Sequence, residues 1–145
     1  MEIAIVASDR KKELMTELCL AYQGILSKHN LYATESTGKY ISEATGLNIE
    51  CMMPGGEGGV EQLSSRISYN EIDLLLFFRN TMHAPEFDEA EQNLLRLCDI
   101  YNVPVATNIA TAEALILALD QGSLDWRELV NPKSQHSKGH GSVRF

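Results

Sequence analysis

The sequence predicts an α/β fold, a three-layer doubly wound domain with a five-stranded, mainly parallel sheet. Two observations carry this. Short apolar runs alternate five times with segments of helical periodicity. The runs are continuously apolar rather than alternating, as expected of strands buried on both faces. Right-handed crossovers between such strands place helices on both sides of the sheet.

Each element follows in order. Residues 3–7 are apolar and β-branched and too short for a helix, hence a strand. Ser8 and Asp9 supply helix-capping chemistry, and Leu14, Leu18, Ala21, Tyr22 and Ile25 recur at helical spacing, so a helix fills 10–28. Residues 31–34 form a second strand. Ser36, Thr37 and Gly38 open a helix carrying Ile41, Ala44 and Thr45, which Gly46 ends. A third strand spans 47–53, and the Gly-rich stretch 54–59 is a loop. A helix over 60–69 turns Leu63 and Ile67 inward. Residues 72–78 are the most apolar run and make the central strand. An irregular loop with Pro85 spans 79–87. A helix over 88–101 buries Leu94, Leu95, Leu97 and Cys98, a fifth strand spans 103–106, and a helix covers 110–119.

With 145 residues the chain is one domain on length. Its formal charge of −8 makes nucleic acid and anionic membranes poor partners. The charge is uneven. Residues 1–132 hold nine Lys and Arg against all 20 acidic residues, a balance of −11. Residues 133–145 carry three positive charges, no negative one, and a Gly/Ser-rich composition. The chain therefore divides into a folded body, 1–132, and a basic tail that is either frayed or an arm docking on an acidic neighbour. Cys19, Cys51 and Cys98 stand at long spacings without a Cys-x-x-Cys pair, which fits buried, reduced thiols and a cytoplasmic protein. The N-terminus runs straight into a strand and lacks the basic start of a signal peptide. No apolar run approaches the ~18 residues of a membrane span. No metal or organic cofactor is expected.

In doubly wound folds ligands bind at the carboxyl ends of strands. Three such segments suggest an anion site. Thr34, Ser36, Thr37 and Gly38 put hydroxyls and free N–H groups at a helix start, where the alternative is simple helix capping. Residues 54–59 hold four glycines, which let a backbone approach a ligand but match neither familiar nucleotide signature; a flexible turn is the alternative. Arg10, Lys11 and Lys12 form the only cationic cluster of the body, at a helix start where they oppose the dipole. Helical geometry aims one of them at the site; surface solvation is the alternative.

These residues resemble the methylglyoxal synthase family over about residues 3–117. The matching segments are Ile3 to Asp9 with Lys12, Leu31 to Ser42, Ala44 to Asn48, Ile72 to Phe78, Leu94 to Leu97 and Asn102 to Ala112. The resemblance implies a homohexamer that converts dihydroxyacetone phosphate to methylglyoxal and phosphate without a cofactor. In that reaction a carboxylate takes a proton beside the carbonyl and a His polarises the oxygen, so both must exchange protons. It also implies that a C-terminal basic residue, here Arg127 or Arg144, reaches a neighbour's site.

Carried over residue by residue, Lys12, Thr34, Ser36, Thr37 and Gly55 hold the phosphate, and Asp9 matches an active-site aspartate. Pro54 replaces a serine. The chemistry does not carry over. Val60 stands where the family has its catalytic Asp, Phe87 where it has its His, Ala90 where it has another Asp, and Arg79-Asn80 where it has Trp-Asp. The expectation is a protein that binds a small phosphorylated compound or inorganic phosphate, with synthase activity doubtful. Two alternatives stay open. One is an active synthase in which Glu57, Glu61 or His83 replaces the missing groups. The other is a non-catalytic regulatory or partner-binding domain.

Overall fold

The computed structural model describes residues 1–80 and 89–133. Within them lie β1 (Glu2–Ala7), a 3-10 turn (Asp9–Lys11), α1 (Lys12–Ala21), α2 (Gln23–Leu26), β2 (Asn30–Ala33), α3 (Glu35–Thr45) and β3 (Ile49–Cys51). A second 3-10 turn (Gly55–Glu57) precedes α4 (Gly59–Ser68), β4 (Leu74–Phe78), α5 (Glu89–Tyr101), β5 (Val105–Ala106), α6 (Ile109–Asp120) and α7 (Arg127–Val130).

The strands form one sheet in the order β3-β2-β1-β4-β5, and every pairing is parallel. The chain winds outward from β1 to β3, then returns to β4 on the other side of β1. The point of reversal lies between β1 and β4. The pleat sends alternate residues to opposite faces. Ile3, Ile5 and Ala7 join Leu74, Leu76 and Phe78 in a core with Met15, Leu18, Ile41 and Ile116. Ala4, Val6, Leu75 and Phe77 join a second core with Val60, Leu63, Ile67 and Leu94. Thus α1, α3 and α6 cover one face, and α4 and α5 the other. The strands are continuously apolar because each residue meets one of these two cores.

Several boundaries differ from the sequence reading, each for a local reason. The helix expected over 10–28 is a 3-10 turn and two helices. Tyr22 leaves helical geometry (φ −112°, ψ 24°), and α2 packs on α6 instead of continuing α1. The third strand shortens to three residues because it ends in other contacts. The Met52 N–H makes the last ladder bond, to the Ala33 carbonyl of β2, and the Met53 N–H turns away to the Gln62 side chain at 2.7 Å. The fifth strand shortens to two, since Pro104 has no N–H, although its carbonyl accepts from Leu75 at 2.9 Å. Leu95 and Leu97 are half-buried where burial was expected. Asn70 and Asn102 follow α4 and α5 with φ of 59° and 56°, the left-handed stop that asparagine tolerates better than most residues.

Two corrections concern function. The thiols are not all buried, because Cys51 lies exposed on the edge strand, while Cys19 and Cys98 are buried. Arg127 does not reach outward. It is fully buried, and its Nε donates to Asp73 Oδ1 at 3.1 Å. Its Nη1 donates to the Tyr101 carbonyl and its Nη2 to the Ile72 carbonyl at 2.8 Å. Asn131 Nδ2 and the Glu2 N–H complete the Asp73 carboxylate. This network ties α7 to the amino end of β4, the end of the sheet opposite the predicted anion site. Arg144 lies outside the described residues.

Candidate functional site

The carboxyl ends of β1, β2, β3 and β4 carry the candidate residues. At the point of reversal, the Ser8 N–H donates to the Phe78 carbonyl at 2.9 Å, the last link between β1 and β4 before they separate. The chain then turns through Asp9–Lys11 into α1. Of the three neighbouring cations, Arg10 is exposed, Lys11 half-buried and Lys12 buried. Lys12 is 8% exposed, and its Nζ reaches the Ala7 carbonyl at 3.3 Å and Asp9 Oδ1 at 2.5 Å. Asp9 stays in solvent, its side chain 96% exposed. The hydrogen bond from Lys12, then the charge of that ammonium, lowers the Asp9 pKa below its ordinary value. Asp9 therefore holds the lysine and does not cap the helix, as no side chain caps either the 3-10 turn or α1.

From β2 the chain enters α3 through Thr34, whose extended backbone (φ −63°, ψ 154°) marks the helix start. Its hydroxyl caps nothing and donates to Thr37 Oγ1 at 3.3 Å. Thr37 is fully buried and donates to the Ala7 carbonyl at 3.2 Å, while its oxygen accepts from the Ala7 N–H at 3.4 Å. A threonine has one hydroxyl proton, and here Ala7 takes it. Thr37 thus locks α3 to the end of β1, beside the carbonyl that Lys12 also holds. Ser36 is exposed. The first turn of an 11-residue helix consequently presents N–H groups without a side-chain cap, next to a buried lysine.

The glycine loop after β3 is structured. The Glu57 and Gly59 N–H groups both donate to the Pro54 carbonyl, at 2.9 and 3.1 Å. Gly58 takes φ 106°, and a Cβ on Gly59 would stand 2.0 Å from the Met53 carbonyl oxygen. These two glycines are required by backbone geometry. The following residue, Val60, is 7% exposed and belongs to the core under α4. Glu57 and Glu61 are exposed. His83 and Phe87 lie outside the described residues. Arg79 follows the last residue of β4, its guanidinium carbon 5.9 Å from the centre of the Phe77 ring.

The structure therefore brings Asp9, Lys12, Thr34 and Thr37 into one hydrogen-bonded cluster around Ala7. It puts Ser36 in the exposed first turn of α3 and Gly55 at the start of the glycine-loop turn. The sequence reading missed the Ala7 carbonyl as the common acceptor, since no side-chain pattern marks a backbone oxygen. Ser8, expected to supply capping chemistry, makes no cap, and its buried Oγ has no hydrogen-bond partner. Among the described residues, no group of three His, Cys, Asp or Glu side chains is arranged to hold a metal.

A parallel sheet ordered 3-2-1-4-5, with a buried lysine after β1 and an uncapped helix start after β2, defines a doubly wound α/β protein whose candidate site lies at the carboxyl ends of its strands. Residues 15–107 match the MGS-like domain, and the chain belongs to that family. It is 54% identical over 138 residues to methylglyoxal synthase of Caldicellulosiruptor saccharolyticus, covering 95% of this chain and 98% of that one. It is 48% identical over 129 residues to methylglyoxal synthase of Listeria welshimeri, covering 89% and 96%. A crystal structure of methylglyoxal synthase from Elizabethkingia anophelis superposes with a TM-score of 0.72 at 37% identity, covering 79% of this chain and 76% of that one.

Proposed function

We propose that this chain binds a small phosphorylated compound, dihydroxyacetone phosphate or one like it, in the crevice at the carboxyl ends of β1 and β2. We further propose that it performs the synthase reaction poorly or not at all. The observation that carries the reading is the contrast between Lys12 and Val60. A lysine kept buried beside uncapped helix N–H groups fits a phosphate. A valine packed into the core at the start of α4 cannot take a proton from a substrate.

In this reading the phosphate lies against the first turn of α3. Backbone N–H groups and the Ser36 hydroxyl donate to it, and Gly55 lets the neighbouring loop approach. Lys12 supplies the charge. Thr34 and Thr37 position the turn through Ala7. Asp9 is the one carboxylate in contact with this cluster among the described residues. Its lowered pKa keeps it ionised at neutral pH, which suits a counter-ion for Lys12 better than a proton shuttle.

A side-by-side assay with the Caldicellulosiruptor saccharolyticus synthase tests this. Methylglyoxal and phosphate release from dihydroxyacetone phosphate is measured for both proteins, with thermal shifts in millimolar phosphate. The expected result is a raised melting temperature in phosphate, lost in Lys12→Ala, with turnover about 10²–10⁴-fold below the relative. Turnover equal to the relative's, abolished by Glu61→Gln or Glu57→Gln, would show instead an active synthase with a moved base. The relatives' names favour that outcome, and the burial of Val60 opposes it.

A further inference from the structure

Beyond the carboxyl ends of its strands the sheet has two sides, and the phosphate site proposed at β1 and β2 lies on one of them. Lys12 and Thr37 belong to the α1 and α3 side. Arg79 belongs to the other. Its register places it on the face of Phe77, two residues earlier, with its guanidinium above that ring. Phe77 and Val60 share the apolar core under α4. Arg79 therefore stands on the α4 side of the sheet, directly after the residue whose carbonyl receives the Ser8 N–H.

Arg79 is a half-buried cation in an acidic chain. With 20 carboxylates against 12 Lys and Arg, cations find acidic neighbours easily, and Lys12, Lys28, Lys39, Arg66, Arg127 and Lys133 each have one. Among the described residues no carboxylate pairs with Arg79, and Asp9 across the crevice is turned to Lys12. A guanidinium offers a planar fork of donors suited to a carboxylate.

We infer that Arg79 receives a carboxylate at the far end of the ligand, so that the site selects three-carbon phosphates ending in a carboxylate over those ending in an alcohol or ketol. The inference rests on the phosphate site proposed above. The phosphate sits against α3 and Lys12, the carbon chain crosses the crevice, and the carboxylate meets Arg79. The net charge of the protein opposes such a trianionic ligand, so a preference for it requires a local cation.

The matched probes are D-3-phosphoglycerate and sn-glycerol 1-phosphate, which share the configuration at C2 and differ only at the terminal carbon. Their affinities are measured by calorimetry on the full chain at fixed ionic strength, with inorganic phosphate alongside. The expected preference for 3-phosphoglycerate is at least about tenfold. Arg79→Gln removes the preference and leaves sn-glycerol 1-phosphate within about twofold, whereas Arg79→Lys keeps part of it. Equal affinities in the wild type, or a preference that survives in Arg79→Gln, overturn the inference while the phosphate site stands. Failure of inorganic phosphate and of both probes to bind overturns the phosphate site and this inference together.

Discussion

Lys12 and Asp9 stand 2.5 Å apart in opposite surroundings, the lysine side chain 10% exposed and the aspartate 96%. An ammonium buried at a strand end needs a counter-charge. Asp9 provides it from solvent, where its attraction is partly screened, so an arriving anion can take its place.

The Asp9→Asn substitution should therefore tighten phosphate binding several-fold, where loss of a binding residue would weaken it. Calorimetric titration with inorganic phosphate, wild type against variant, reads the sign.

The Asp9 carboxyl titrates below its ordinary value because of Lys12. A carboxyl lowered in the folded state stabilises the fold above its unfolded pKa, and that contribution disappears as pH falls through the folded pKa. The window lies below about pH 4. Carboxyl-carbon chemical shifts should place the Asp9 midpoint higher in Lys12→Ala, and bound phosphate should also raise it.

Gly59→Ala drives a Cβ onto the Met53 carbonyl, so the glycine loop must move. A loss of about 2 kcal/mol or more is expected, together with weaker phosphate binding. Gly24→Ala is the contrast, because no atom lies within 4 Å of the new Cβ and the site is helical. It should gain about 0.5–1 kcal/mol. Urea unfolding measures both.

Arg127→Leu strands the Asp73 carboxylate in a buried position. Removing one partner of such a pair costs about 3–5 kcal/mol. Phosphate affinity of the folded fraction should be unchanged, because the pair lies at the amino end of β4. A variant that stays stable but loses phosphate would assign Arg127 to the site after all.

Burial raises the Cys19 and Cys98 thiols to about 12, leaving almost no thiolate at neutral pH. Cys51 is exposed. A colorimetric thiol reagent should titrate one group quickly in the native protein and all three in denaturant. Three fast thiols would contradict the packing of α1 and α5.

The fold was legible because its signals are local. Apolar runs such as Leu74–Phe78 are too short and too continuously apolar to be amphipathic helices, and Gly46 stops α3 in the left-handed geometry its residue type foretells (φ 76°). Boundaries were less legible where a partner outside the element took a backbone group, as the Gln62 side chain does from Met53. The candidate site was legible as residue types at strand ends. The family resemblance marked Lys12 and Thr37, but not what they do to one another.

The sequence by itself determined the order of strands and helices, the acidic balance and the family to which the chain belongs. These follow from periodicity, composition and motifs in fixed succession, all of which are properties of neighbours along the chain. Tertiary structure decided which of three adjacent cations is buried, that Thr37 gives its proton to Ala7 thirty positions away, and that Arg127 serves Asp73 fifty-four positions away. A hydrogen bond depends on distance in space, and only packing of α1, α3 and α7 against the sheet sets those distances. The same packing made Val60 part of the core under α4.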